Sequence, residues 1–398
     1  MKSGERVLIA GAGPVGLVAA NVLADAGVPV GVFESEPRLP ETLRGSTFQP
    51  PTLDMLDRLG VAAPMIEMGR KAPKVQYRDR QGWAVEFDFG LIADCTAHPY
   101  RLQCEQFKLT RLLAERLARF PHARLEYSSP VVGVEQDADS VTVVIEGAAG
   151  LRRERGSWLV GADGGRSRVR AALGLKLEGF TWEERYVVIS TAFDFDRALP
   201  GICEVNYYAD PEEWYMLLHV PELWRALMPV SPQETDEAIT SPAGMERRMQ
   251  RICSRPGRYD IAHCSIYAVH QRVADRYRAG RAFLAGDAAH LNNPLGGMGM
   301  NGGIHDAFSL AENLVAMLRD GKGEECLERY ERQRRPIALE YINEISIANK
   351  RNLETRDPAE QRRWRESMDR TAGNRAQARE YLKRASMIAS LQKAASIH

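Results

Sequence analysis

A chain of 398 residues is roughly two to three times the size of a usual domain, so two closely packed domains are expected rather than one small module. Hydrophobic residues make up 44% and charged residues 27%, which excludes a disordered, collagen-like or coiled-coil chain. Lysine plus arginine and aspartate plus glutamate both number 53, so no net field draws nucleic acid or an anionic membrane surface.

Val7 to Ala10 is a short apolar run of the kind buried as a parallel strand. Gly11-Ala12-Gly13-Pro14-Val15-Gly16 follows, then an Ala-rich helical stretch to Ala26 that Gly27 ends. Val28 to Phe33 reads as a second strand finishing at Glu34. Ile9 to Ala24 is the longest weakly polar stretch, but it is short for a membrane span, is broken by Gly and Pro, and lacks the charged entry of a signal peptide. Cys95, Cys104, Cys203, Cys253, Cys264 and Cys326 form no CxxC pair or zinc half-site. They read as free thiols in a reducing compartment, so the expectation is a cytoplasmic protein with no metal centre and no membrane contact.

Further along, Val75 to Phe89 alternates around a Gln81-Gly82 turn and predicts an antiparallel hairpin. Gln106 to Arg119 has a helical period, and Leu125 to Tyr127, Val131 to Gln136, Val141 to Glu146 and Trp158 to Ala162 are strand-like. Tyr186 to Arg272 is β-rich, with one helix around Ala243 to Cys253. Ala282 to Ala285 returns to the parallel type, and the remainder is helical. The pattern is a βα domain hosting a β-rich insert.

GxGxxG between a strand and a helix is the dinucleotide fingerprint: Gly11 permits the tight turn, Gly13 lets backbone approach a pyrophosphate, and Gly16 lets helix pack on sheet. Glu34 stands where a ribose hydroxyl pair would be accepted; the competing reading is a glycine-rich packing turn. A second motif, Gly161-Ala162-Asp163-Gly164-Gly165-Arg166-Ser167-Arg168, is on its own a turn and helix cap. The third runs through Gly286-Asp287-Ala288-Ala289-His290 to Pro294-Leu295-Gly296-Gly297-Met298-Gly299-Met300-Asn301 and a helix. It offers a carboxylate for a ribityl hydroxyl and free N–H groups for an electron-rich ring edge.

In this order and spacing the three motifs resemble the group A flavoprotein monooxygenases, with the para-hydroxybenzoate hydroxylase fold. The resemblance implies an α/β protein: a Rossmann-like FAD-binding domain (residues 1–72, 99–182 and 276–398), an inserted, mainly antiparallel β-sheet substrate domain (73–98 and 183–275), and a helical C-terminus. It implies FAD, with NADH or NADPH as a transient reductant and O2 activated as a flavin C4a-hydroperoxide that hydroxylates a small phenolic or N-heteroaromatic substrate. Gly11, Gly13, Pro14, Val15 and Gly16 would then face the FAD pyrophosphate, Glu34 and Ser35 the adenosine ribose, and Gly286 and Asp287 the ribityl chain. Pro294, Gly297, Gly299, Met300 and Asn301 would lie along the isoalloxazine. Arg44, Gln106, Asp163, Arg166 and Arg225 match positions that support the cofactor or its reductant, and His290 reads as structural or cofactor-adjacent.

Tyr207 and Tyr208 both lie where the family has its pocket tyrosine, and Tyr208 aligns best by its following alanine; Tyr215, His219 and the Pro294 carbonyl complete the expected catalytic group. Leu217-Leu218-His219-Val220 offers no counterpart of the arginine that grips a substrate carboxylate, which argues against para-hydroxybenzoate itself. Asn292-Asn293-Pro294 and Met298 depart from the usual loop, and both departures bear on the substrate. Epoxidation, N-hydroxylation or decarboxylative hydroxylation on the same fold stays open, as do a flavin-binding regulator and a plain NAD dehydrogenase. The partner is a small molecule rather than nucleic acid, and the chain is expected to be a monomer or homodimer.

Overall fold

The computed structural model describes residues 6–43 and 45–397. Val7–Ala10, Val30–Phe33 and Trp158–Gly161 are buried at every position, as strands covered on both faces should be. They form the middle of a six-stranded sheet, flanked by Ala123–Glu126 on one side and Ala282–Leu284 with its short partner Arg278–Ala279 on the other. All pairings in it are parallel except that last hairpin. The helix Pro14–Asp25 starts with proline in its first turn and stops before Gly27, whose φ of +71° suits only glycine at low cost. It packs against the helices Gln106–Leu117 and Gly299–Leu318.

The second large sheet has eight strands in the order His290–Leu291, Ile261–Ala274, Leu177–Thr191, Trp224–Val230, Tyr215–His219, Val205–Tyr208, Lys74–Arg78 and Ala84–Asp88. One pair, Val205–Tyr208 with Lys74–Arg78, is parallel; the others are antiparallel. The domain boundary expected between residues 182 and 183 falls inside the continuous strand Leu177–Thr191, and His290–Leu291 returns to this sheet beyond the boundary expected at 275. The two layers are therefore stitched together by strands that run from one into the other.

Period-two alternation gives the eight-stranded sheet two different faces. On the inner face Tyr186, Val188, Tyr207, Met216, Leu227 and Val269 pack with Leu295 of the glycine-rich loop and with Met368 and Leu382 of the C-terminal helices. On the outer face Val187, Ile189, Tyr208, Tyr215, Leu217 and Met228 pack with Ile239, Met249 and Ile252 of the helices Asp236–Thr240 and Pro242–Ile252. The C-terminal helices Pro358–Gly373, Arg375–Ala385 and Ile388–Ala395 close over the inner face and the hairpin. Upstream of them, Ala338–Asn343 widens into a π-turn before the helix Glu344–Glu354.

Candidate active site

The first glycine loop is held by steric necessity at two points and left open at a third. Gly11 has φ +97°, and a Cβ there would sit 2.5 Å from the Ala162 carbonyl; a Cβ on Gly16 would sit 2.0 Å from the Gly11 carbonyl. A Cβ on Gly13 would meet no atom within 4 Å. Among the described residues no side chain caps the helix that begins there, at the positive end of a twelve-residue dipole. Beside it, buried Glu34 takes the Ala12 N–H at 2.7 Å on one oxygen and the Glu36 N–H and Ser35 hydroxyl at 3.0 and 3.1 Å on the other. An uncapped helix N-terminus with a fixed carboxylate beside it fits the diphosphate and ribose of a dinucleotide.

The Gly286-Asp287 turn abuts this loop. A Cβ on Gly286, whose φ is +62°, would come 2.7 Å from Val15 Cγ2, and one on Gly303 would come 2.9 Å from Gly286 Cα. Asp287 is exposed between buried neighbours. Underneath, fully buried Asp306 accepts from the Arg334 Nε at 2.7 Å, the His290 Nε2 at 2.8 Å and the Gly286 N–H at 3.2 Å. Burial pushes the Asp306 carboxyl up, but Arg334 and His290 outweigh it and hold it down at about 2. His290 is thus an anchor of the turn.

One helical position earlier, His305 shares a 2.9 Å hydrogen bond with the Thr52 hydroxyl. Burial and then the nearby Arg334 cation push its imidazole from 6.5 down to about 3. The folded chain keeps His305 neutral where the unfolded chain protonates it, so its share of stability is intact above 6.5 and is lost as pH falls from there towards 3. One proton corresponds to about 1.4 kcal/mol per pH unit. Urea titrations between neutral and mildly acidic pH should show that His305→Gln has a shallower acid loss than the wild type by about that slope.

The third glycine loop is tied to both layers. Gly296 and Gly297 take φ of +107° and +65°. Asn301 donates to the Gly297 and Thr47 carbonyls at 2.6 and 2.8 Å and accepts the Gln49 N–H at 2.9 Å, while Gln49 Nε2 donates to the Gly296 carbonyl at 2.8 Å. The Pro294 carbonyl, expected to face substrate, accepts the Gly297 N–H at 2.9 Å within the turn. Asn293, fully buried, explains one departure noted in the sequence: it accepts the Leu295 N–H at 3.1 Å and donates at 3.2 Å to Gln271, which itself donates to Asn343 and Ser346 at 2.8 and 3.0 Å. Gly45, Gln106 and Met300 meet nearby: Gln106 N–H donates to the Gly45 carbonyl at 3.0 Å, and a Gly45 Cβ would lie 3.4 Å from the Met300 sulfur. Arg225 reaches from the inner face to the Ser46 hydroxyl at 2.9 Å and the Leu43 carbonyl at 2.6 Å. Arg44 lies outside the described residues.

Three of the four expected catalytic residues, Tyr208, Tyr215 and His219, lie on the outer face of the sheet. Tyr208 and Tyr215 stack on each other at 4.4 Å on the outer face, among the residues that pack on the helices Asp236–Thr240 and Pro242–Ile252. His219 shares that parity, stacking on Trp224 at 4.2 Å with Asp196 3.3 Å from its Nδ1. Burial and Arg70 lower its pKa to about 4, so it is neutral at pH 7 and supplies no cation. A one-residue shift in a strand turns a side chain to the opposite face, and the tyrosine on the loop side is Tyr207. Tyr207 stacks on Tyr77 at 5.0 Å, and the Tyr77 and Tyr381 hydroxyls are hydrogen-bonded at 2.8 Å. Arg101, 2% exposed, reaches the Tyr207 hydroxyl at 3.5 Å, Gln49 Oε1 at 3.3 Å and the Ala385 carbonyl at 3.5 Å. Gln49, Arg101, Asp306 and Arg334 carry no motif that singles them out in the sequence, whereas Tyr207 stands beside Tyr208 in the stretch matched to the pocket tyrosine.

Asp163 accepts from the Ser167 hydroxyl at 2.5 Å and from the Arg168 and Val169 N–H groups at 2.7 and 3.0 Å, so its carboxylate caps the helix Arg168–Ala172. Arg166 is exposed, whereas Arg170 links the second and third motifs by donating to the Gly165 and Ala288 carbonyls at 2.8 and 2.9 Å. A cleft of about 1200 Å³ lies elsewhere, lined by residues including Arg80, Trp182, Asp210, Lys350 and Glu354. Two of its cations are met by carboxylates, Arg80 by Asp210 at 2.7 Å and Lys350 by Glu184 and Glu354, and no glycine-motif residue lines it. Among the described residues no helix is long and apolar enough to cross a membrane.

The sequence matches the FAD binding domain family over residues 5–344. It is 34% identical over 393 residues to para-nitrophenol 4-monooxygenase of Pseudomonas sp. (strain WBC-3), covering 96% of this chain and 95% of that one. It is 35% identical over 364 residues to 6-hydroxy-3-succinoylpyridine 3-monooxygenase of Pseudomonas putida (strain DSM 28022 / S16), covering 90% and 92%. The crystal structure of p-nitrophenol 4-monooxygenase from Pseudomonas putida DLL-E4 superposes with a TM-score of 0.91 at 32% identity, covering 99% of both chains.

Proposed function

Since this chain belongs to the FAD binding domain family of flavin-dependent aromatic hydroxylases, we propose that it uses FAD, NADH or NADPH, and O2 to hydroxylate a phenolic or N-heteroaromatic ring. The observation that carries the site assignment is the convergence of an open, uncapped helix N-terminus at Gly13, the exposed Asp287, and a glycine loop facing Tyr207 across the inner face. Bound FAD supplies the transfer of electrons from nicotinamide to dioxygen.

The residues supply placement. Gly11 to Gly16, with Glu34 and Ser35, receive the dinucleotide half, and Asp287 receives the ribityl chain. Asn301 and Gln49 fix the loop Pro294–Asn301, which would hold the flavin ring together with Gln106, Met300 and Arg225. Leu295, Phe87 and Phe89 keep water from the inner face. Tyr207 takes the role expected of Tyr208, holding the phenolic proton of the substrate through its hydroxyl, while Tyr208, Tyr215 and His219 support the sheet from outside. Asp163 and Arg166 flank the cofactor by way of the second motif. The chain acts as a cytoplasmic monomer or homodimer.

The test is a panel of phenols, aromatic acids and hydroxypyridines added to the purified protein. It should be yellow, some members should stimulate NAD(P)H oxidation, and a product one oxygen heavier should form. A colourless protein that still oxidises a substrate with NAD would support a dehydrogenase instead. Stimulated oxidation that yields only peroxide would remove the hydroxylase assignment.

A further inference from the structure

Arg101 is the charge that the proposed reaction leaves unexplained. It lies on the short strand Arg101–Gln103 with its side chain 98% withdrawn from solvent, since 2% remains exposed. No carboxylate among the described residues pairs with it. Among the described residues its five guanidinium N–H groups find three acceptors, all long and all neutral: Gln49 Oε1 at 3.3 Å, and the Tyr207 hydroxyl and Ala385 carbonyl at 3.5 Å. A fourth side of the group faces the Phe89 ring, 5.5 Å from its centroid. Buried guanidinium groups are ordinarily matched by an anion, because taking the charge out of water is otherwise uncompensated. Charge-assisted contacts also run shorter than these, near 2.7–2.9 Å.

Its position suggests where the anion comes from. Gln49 connects Arg101 to the Gly296 carbonyl of the loop, Tyr207 connects it to the inner face of the sheet, and Ala385 to the closing helix. Three other candidates are accounted for: Arg225 is bound to Ser46 and Leu43, Arg334 to Asp306, and His219 is neutral and on the outer face. We propose that Arg101 is the substrate-anion site of this enzyme, taking an anionic oxygen carried by the aromatic ring. This rests on the monooxygenase reading above. It provides the gripping cation that the stretch Leu217 to Val220 lacks, from a different layer of the protein. The anionic oxygen has two chemical sources, an acidic ring substituent or the ionised phenol itself.

Two pairs of probes separate them, with affinity read from the perturbation of the flavin absorbance of the holoenzyme. 4-Hydroxybenzoate against its neutral isostere 4-hydroxybenzamide reports on an acidic substituent; 4-nitrophenol, ionised near neutral pH, against 4-methylphenol reports on a phenolate. In at least one pair the wild type should prefer the anion, and Arg101→Gln should weaken that anion roughly 10- to 100-fold while changing the neutral partner by less than about 3-fold. Arg101→Lys should recover part of the preference, because the charge stays but the fork is lost. Equal affinity for both members of both pairs in the wild type overturns the proposal without any variant. So does an Arg101→Gln enzyme that keeps its flavin and the wild-type preference. If the yellow wild-type enzyme responds to no aromatic compound at all, the hydroxylase reading beneath the proposal is what fails.

Discussion

Asp306→Ala is expected to cost about 3–5 kcal/mol of stability, because it leaves the Arg334 guanidinium buried without its counter-charge. Both groups are almost completely withdrawn from water, at 0% and 2% exposure. The same carboxylate also accepts the Gly286 N–H and the His290 ring, so the substitution frees the turn that carries Asp287. Flavin content should therefore fall along with the urea midpoint. Exchanging both partners, Asp306→Leu with Arg334→Met, should recover most of the stability, since a hydrophobic pair of similar volume avoids the cost of burying charge. It should not recover the flavin, because Gly286 would still lack its acceptor. A loss below about 1 kcal/mol for Asp306→Ala would show that water reaches the pair and that it does not anchor the turn.

Gly13→Val and Gly16→Ala are expected to fail in opposite ways, and the contrast separates a cofactor cradle from a packing turn. Gly13 has an ordinary φ of −69° and nothing within 4 Å of where a Cβ would stand. Adding a side chain there should cost the flavin-free protein no more than about 1 kcal/mol, the usual penalty for an apolar residue at a helix N-cap. That side chain would occupy the space in front of the helix N-terminus, so the protein should purify folded and colourless. Gly16 has no such room: a methyl 2.0 Å from the Gly11 carbonyl forces the helix off the sheet. Gly16→Ala should lower stability and flavin content together. Thermal melts of the flavin-free forms, set beside flavin-to-protein ratios, check both. A Gly13→Val protein that keeps stoichiometric FAD would sink the placement of the pyrophosphate.

The parts of the fold that were readable in the sequence are those dictated by local patterning. Val7–Ala10 and Trp158–Gly161 are uninterrupted apolar runs because both faces are covered, and Ala84–Asp88 of the hairpin alternates because one of its faces is exposed. The site was harder where it depends on parity or on tertiary pairing. Tyr207 and Tyr208 are adjacent and chemically alike, and only the sheet decides which one faces the loop. Arg334 stands in the polar run Glu331 to Arg335. Yet it falls on the stripe of Leu327, Tyr330 and Ile337, all buried, and a charge at helical spacing on an apolar face is a signal that a buried partner exists. Asp306 carries the same signal among Ile304, Ala307, Leu310 and Ala311. Arg101 carries none: Tyr100-Arg101-Leu102 has no period, and its burial comes from a helix nearly three hundred residues further along the chain.

The π-turn Ala338–Asn343 lies on the path between the sheet and that closing helix, and it holds one more residue than an α-helical turn would. Each residue of an α-helix advances about 100° around the axis, since a full turn takes 3.6 residues. Deleting a single residue within the π-turn would thus rotate the following helix by more than a quarter turn, taking Asn343 and Ser346 away from Gln271 and Asn349 away from the Leu295 carbonyl. Everything beyond it, including Trp364, Tyr381 and Ala385, would be reindexed against the ring-stacking side of the sheet. The shape offered to a substrate is in this sense a phase relation. It is set by how many residues the chain counts before it turns back over its own sheet, and chains that agree at every glycine motif will accept different rings if they count differently.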